Sequence, residues 1–169
     1  MISLSPSKAS LAFIDIQEQS IEGHFEINFL NLRNDLKLKI DTENALQSVQ
    51  QTAAIVQKHI LEHYAIFADG EKLAIHFTRV DILTGGERGF AKYYFTVAVD
   101  PMPDQLVFQN TLFFDNNPRH RGLLLVAYNH KTQKNYGAEH TALVFSPDNY
   151  RQTLASRIFH QFFDKQLLC

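Results

Sequence analysis

Cysteine is nearly absent from these 169 residues: only Cys169 is present, so no disulfide closes within the chain and no cysteine-built zinc site exists. An excess of charge of one sign is missing too. The 16 Lys and Arg residues stand against 18 Asp and Glu, a net charge of −2 with a pI near 6.4. Such a balance lacks the electrostatic surplus that holds nucleic-acid phosphates or an anionic membrane surface, and no nucleic-acid partner is expected. Long apolar runs are absent; Leu123 to Tyr128 is among the longest, far short of a bilayer-crossing helix. The start, Met1-Ile2-Ser3-Leu4-Ser5-Pro6, has no basic segment, and Leu11 to Ile16 is too short for a signal core and is broken by Asp15. Read literally this gives a cytoplasmic protein, although a mature domain behind an added Met would begin the same way.

Catalytic signatures are also scarce. No Gly-x-Ser-x-Gly elbow occurs, and Gly85-Gly86-Glu87-Arg88-Gly89 lacks the Gly-Lys-Ser/Thr ending and following helix of a phosphate loop. Paired carboxylates for glycosidic chemistry are not identifiable from spacing alone. What remains is a chain with 45% apolar and 20% charged residues, the composition of one packed domain.

Strand patterning dominates. Ile21, Gly23, Phe25, Ile27 and Phe29 alternate with Glu22, His24, Glu26 and Asn28, the period of a strand with one face on a core and one in water. Ser10 to Ile16 reads as its hairpin partner across Gln17–Ser20. Leu36, Leu38 and Ile40, alternating with Lys37 and Lys39, suggest an extended edge segment guarded by lysines. A helix is expected over 41–64, capped by Asp41 or Thr42, with Leu46, Val49, Ala53, Val56, Ile60 and Tyr64 as its apolar stripe. Asp69-Gly70 is a hairpin turn signal. Further strands are expected at Lys72–Ile82, Ala91–Val99, Gln105–Phe114, Gly122–Tyr128 and Glu139–Phe145. Leu154, Ile158, Phe162 and Phe163 suggest a C-terminal amphipathic helix over 148–169, which packs on the sheet or approaches a membrane or partner.

The expected fold is mainly β: an immunoglobulin-like antiparallel β-sandwich of about eight strands over 1–147, with one long packed helix inserted and a C-terminal helix. Its core should include Phe25, Ile27, Phe29, Val49, Val56, Ile60, Phe95, Val97, Leu112, Phe114, Leu124 and Val126.

Two segments invite chemistry. His59-Ile60-Leu61-Glu62-His63 matches H-x-x-E-H, in which two imidazoles one helical turn apart hold zinc and the glutamate acts as base. Helical spacing, however, sets Glu62 opposite the apolar stripe and the histidines on its flank, as solvated side chains would be. The other histidines, His24, His76, His120, His130, His140 and His160, are scattered. The loop Asp115-Asn116-Asn117-Pro118-Arg119-His120-Arg121-Gly122 is polar and stiffened by Pro118, while Gly122 permits a sharp re-entry. Arg119 and Arg121 either clamp an anion, or one of them pairs with Asp115 and fixes the loop. Asp115, Arg119, His120 and Arg121 are therefore the candidate binding residues, with His59, Glu62 and His63 as the metal-site alternative.

The stretch Leu112-Phe113-Phe114-Asp115-Asn116-Asn117-Pro118-Arg119-His120-Arg121-Gly122-Leu123-Leu124 resembles the "LFFD-x-D/N-P-x-H-R-G-L" segment of HupE/UreJ-like membrane proteins, in their soluble extracytoplasmic N-terminal region. The likeness extends over roughly Lys8 to Ser146, with Leu32-Arg33-Asn34-Asp35-Leu36 and Ala68-Asp69-Gly70-Glu71-Lys72-Leu73 in matching order. The acidic stretch before the family's helix is shortened here to Asp41-Thr42-Glu43-Asn44. The histidine- and aspartate-bearing transmembrane helices associated with nickel supply are not in this chain, so transport does not carry over. The resemblance implies a periplasmic domain of a membrane protein, with a protein partner or its own membrane part as neighbour; no cofactor is expected. The expected function is a non-catalytic binding or interaction module with an unknown ligand. The competing readings are a small zinc metallohydrolase using His59, Glu62 and His63, and a cytoplasmic small-molecule carrier whose phenylalanines line a cavity.

Overall fold

The computed structural model describes residues 8–85, 88–129, 134–135 and 141–155. Along the chain run β1 (Ala9–Ile16), β2 (Ser20–Asn28), α1 (Phe29–Asn34), α2 (Ala45–His63), β3 (Tyr64–Ala68), β4 (Glu71–Lys72), β5 (His76–Gly85), β6 (Arg88–Ala98), β7 (Gln105–Asn110), β8 (Arg121–Asn129), β9 (Lys134–Asn135), β10 (Thr141–Phe145) and β11 (Arg151–Ala155). The fold is mainly β, with two sheets and one long helix. A seven-stranded sheet has the order β10-β8-β1-β2-β6-β5, with β9 added on β8; a four-stranded sheet has the order β11-β7-β3-β4.

Local chemistry explains most of these elements. Gln17 N–H donates to Ser20 C=O (2.8 Å) and closes the β1–β2 hairpin. Asp69 (φ +50°) and Gly70 (φ +81°) both take the left-handed backbone of a tight two-residue hairpin, so the turn signal is real and joins β3 to β4. Asp41 accepts from Glu43 N–H and caps a single 3₁₀ turn, Thr42–Asn44, that leads into α2. Val49, Val56 and Ile60 face the core from α2 as expected, whereas Leu46 is exposed and Ala45 takes the buried position one residue earlier.

Every residue expected in the core is buried there. The two sheets meet through rings: Phe25 on β2 packs edge-on against Tyr64 on β3 (4.8 Å), beside Phe95 on β6 (4.9 Å), and Tyr64 in turn contacts Phe108 on β7 (6.5 Å). The buried apolar side chains of both sheets and α2 form one continuous cluster. Phe25, Phe29, Phe95, Phe108, Phe113, Phe114 and Phe145 belong to that cluster.

Several expectations need correction. The sheet is not wholly antiparallel, because β1 pairs parallel with β8, with Ala12 opposite Leu124. The strands number more than eight among the described residues, since β3, β4 and β9 are short pieces and β11 was not expected. Leu36–Ile40 is no edge strand: Arg33 donates twice to Ile40 C=O (3.1 and 2.7 Å), and Ile40 is buried while Lys37 and Lys39 stay in water. Phe29 ends no strand. Asn28 accepts from Leu30 N–H (2.7 Å) as the cap of α1, and the Phe29 ring lies on Gly89, where any Cβ would strike it. The strand expected to run to Phe114 stops at Asn110. In the segment expected to begin the C-terminal helix, Arg151–Ala155 is instead a strand on β7, with Leu154 buried opposite Leu106; the remainder of that expectation, 156–169, lies outside the described residues.

Candidate functional site

Residues 111–120 join β7 to β8 and hold most of the chemistry expected from the sequence. Asn110, buried at the end of β7, accepts from Leu112 N–H (3.0 Å) and turns the chain out of the strand. Gly122 makes room for that amide, for a Cβ there would lie 2.2 Å from Asn110 Nδ2. Thr111 N–H donates to His63 C=O (2.8 Å), which ties the loop to the end of α2. Phe113 then adopts φ +67°, a left-handed backbone that disfavours an aromatic residue by roughly 1–3 kcal/mol. Internal bonds follow from Phe114 N–H to Thr111, Asn117 N–H to Phe113 and His120 N–H to Asn117.

The candidate side chains divide sharply within this loop. Asp115 and Arg119 are exposed. Arg121 donates to Pro118 C=O (3.0 Å) and His120 C=O (2.8 Å), so it stiffens the loop through backbone carbonyls; among the described residues neither arginine pairs with Asp115. His120 is wholly buried, with Nε2 3.1 Å from the Ser10 hydroxyl on β1 and Nδ1 without a hydrogen-bond partner. Burial holds its imidazole neutral down to about 4; Asp35 opposes this shift and Arg121 reinforces it. The candidate binding residues are thus one buried side chain, one used by its own loop and two in water.

His59 and His63 do come together on the flank of α2, with ring centroids 4.3 Å apart. Phe113 stacks against His59 (5.4 Å) and meets His120 edge-on (5.1 Å), so the loop inserts a phenyl ring between the helix pair and the buried histidine. His63 Nδ1 lies 3.2 Å from the Thr111 hydroxyl, while His59 Nε2 is buried without a partner. Desolvation lowers the His59 pKa and His63 lowers it further, against Glu62, Asp115 and Asp35. Glu62 is exposed and lies 3.9 Å from Lys58 one turn earlier. Among the described residues no group of three or more His, Cys, Asp or Glu side chains is placed to hold a metal ion. His130, His140 and His160 lie outside the described residues, and His76 is exposed.

Sequence reasoning missed the outward face of the large sheet. Register places Phe13, His24, Tyr94 and Arg79 in one row across β1, β2, β6 and β5. The rings of Phe13 and His24 stack at 4.9 Å, those of His24 and Tyr94 approach to 4.9 Å, and the Arg79 guanidinium lies 3.6 Å over the Tyr94 ring. The next row sets Glu26 between His24 (3.1 Å) and Lys92 (3.8 Å). On the other side Asp15 and Glu22 oppose each other directly across β1 and β2. They border an open recess of about 310 Å³ shared with His24, Thr78, Tyr94 and Thr96. Burial raises the Asp15 carboxyl above its ordinary range, Glu22 adds to the rise and His24 opposes it. The alternation of β2 marks Glu22, His24 and Glu26 as outward-facing, but only the neighbouring strands reveal what they meet.

No family model matches the chain, and no curated protein matches it.

Proposed function

We propose that the chain is a non-catalytic interaction module of immunoglobulin-like sandwich type, the parallel β1–β8 pair being its departure from the all-antiparallel form. It serves as an extracytoplasmic domain of a HupE/UreJ-like membrane protein and contacts that protein's own membrane part or a separate protein partner. One observation carries this reading: the row Phe13, His24, Tyr94 and Arg79 across four strands, with the Asp15/Glu22 recess beside it. Planar rings and paired charges held on strands form a stiff, patterned surface suited to recognition. Among the described residues the reactive groups elsewhere are otherwise engaged: His120 is enclosed, Arg121 binds its own loop's carbonyls and Glu62 is exposed beside Lys58. The HupE/UreJ-like segment 112–124 supports the family setting, and its structural part here is to close the domain around His120.

The test is a photo-crosslinking residue placed at Tyr94 or, for comparison, at Lys58 on the exposed face of α2, in the membrane-bound parent protein. Crosslinks to the membrane part or to one discrete protein from position 94, and not from 58, support the reading. Equal yields from both positions, or none from 94, refute it.

A further inference from the structure

Hydrogen bonds tie the loop 111–120 to three separate elements: His120 to Ser10 on β1, the Thr111 N–H and hydroxyl to His63 at the end of α2, and Asn116 Nδ2 to Asp35 C=O (3.2 Å) beyond α1. Its other bonds are internal or reach only the residues at its two ends, Leu112 N–H to Asn110 and Arg121 to the Pro118 and His120 carbonyls, and the β1–β8 ladder begins only at Arg121 opposite Ala9. The loop can therefore leave its seat without breaking a sheet. It sits there with Phe113 at φ +67°.

We infer, beyond the interaction role proposed above, that this loop is an acid-released latch: proton uptake by His120 ejects it and uncovers Leu112, Phe113 and Phe114. The reason is geometric. A neutral imidazole satisfies its site with Nε2 on the Ser10 hydroxyl and a bare Nδ1. An imidazolium must donate from both nitrogens, and Nδ1 has no acceptor in a wholly buried position. The charged and titratable groups around it do not rescue the cation. Asp35 attracts it, Arg121 on the adjoining residue repels it, and the Phe113 ring that meets His120 also stacks on His59, on which His63, Glu62 and Asp115 act. Desolvation outweighs the Asp35 attraction. Release also lets Phe113 return to an ordinary backbone conformation, which lowers the free energy of opening. The three side chains uncovered are 1%, 3% and 8% exposed when the loop is seated, so acid presents an apolar surface that neutral pH conceals.

Amide hydrogen exchange on the full chain, corrected for intrinsic rates, tests the latch. In the wild type, protection at Phe114 and Asn117 should fall roughly twentyfold from pH 7 to pH 5, while Phe25 on β2 and Tyr93 on β6 keep theirs. In His120→Phe, which keeps a ring but cannot titrate, loop protection should be flat over that range. Equal loss at Phe25 and Tyr93, the same loss in His120→Phe, or no loss in the wild type overturns the proposal. Should His120→Phe fail to fold, titration of the wild-type His120 ring by NMR decides. A midpoint well below 6.5, with the Phe113 and Phe114 amides moving at the same pH, supports the latch; a midpoint near 6.5, or loop signals unmoved as the ring titrates, overturns it.

Discussion

Gly122→Ala is expected to destabilise the domain far beyond what one added methyl suggests. The new Cβ would sit 2.2 Å from Asn110 Nδ2 and 3.0 Å from its Cγ, with Phe145 Cβ at 3.5 Å. Contacts under 3.0 Å force something to move, and the Asn110 side chain is the part able to swing. It is buried and its Oδ1 holds Leu112 N–H at 3.0 Å, so the swing strands a buried donor. Losing that bond costs about 1–3 kcal/mol, and crowding of the closed core adds about 1 kcal/mol or more. The total, about 2–4 kcal/mol, corresponds to a fall in Tm of roughly 5–15 °C for a chain of this size. Urea unfolding followed by circular dichroism measures it. A double-mutant cycle locates the cause: Asn110→Ala alone loses the same hydrogen bond, so adding Gly122→Ala to it should cost little further. A loss below about 1 kcal/mol for Gly122→Ala, or additivity of the two within about 0.5 kcal/mol, would refute the argument.

At neutral pH Asp15→Asn should raise stability modestly, by a few tenths of a kcal/mol, since it removes a like charge directly opposite Glu22 on a partly solvated face. The sign follows from the raised carboxyl. The folded state favours the protonated form, so the wild type is at no disadvantage below the ordinary carboxylate range and loses ground as pH rises through the folded-state value. The gain should accordingly vanish near pH 3, and a gain that persists there would count against the repulsion. Tyr93→Phe should stabilise by about 1 kcal/mol, because the Tyr93 hydroxyl is buried without a partner and burial pushes its ionisation up; a loss of stability in thermal unfolding would reveal an unrecognised partner.

Much of the fold was legible because its signals are local. The alternation of β2, the stripe Val49, Val56 and Ile60, the cap at Asp41 and the turn at Asp69-Gly70 each express a backbone period or a single φ preference. Readings failed where a distant group overruled the local pattern. Leu36–Ile40 alternates like a strand, yet Arg33 takes the Ile40 carbonyl from any ladder. Arg151–Ala155 shares apolar spacing with a helix, but the open edge of β7 recruits it as a strand. The candidate loop was found, but not the division of labour within it.

Composition and periodicity by themselves determined a β-rich domain, one long amphipathic helix and the list of residues that must leave water, since burial of an apolar side chain depends on its own chemistry. Tertiary structure alone decided that β1 runs parallel to β8, that Phe13, His24, Tyr94 and Arg79 share a row, and that His120 is enclosed while Asp115 and Arg119 stay in water. Period two tells a strand which way each side chain points; which strand lies beside it is settled by the packing of the whole chain, and the neighbours of every functional group come with that choice.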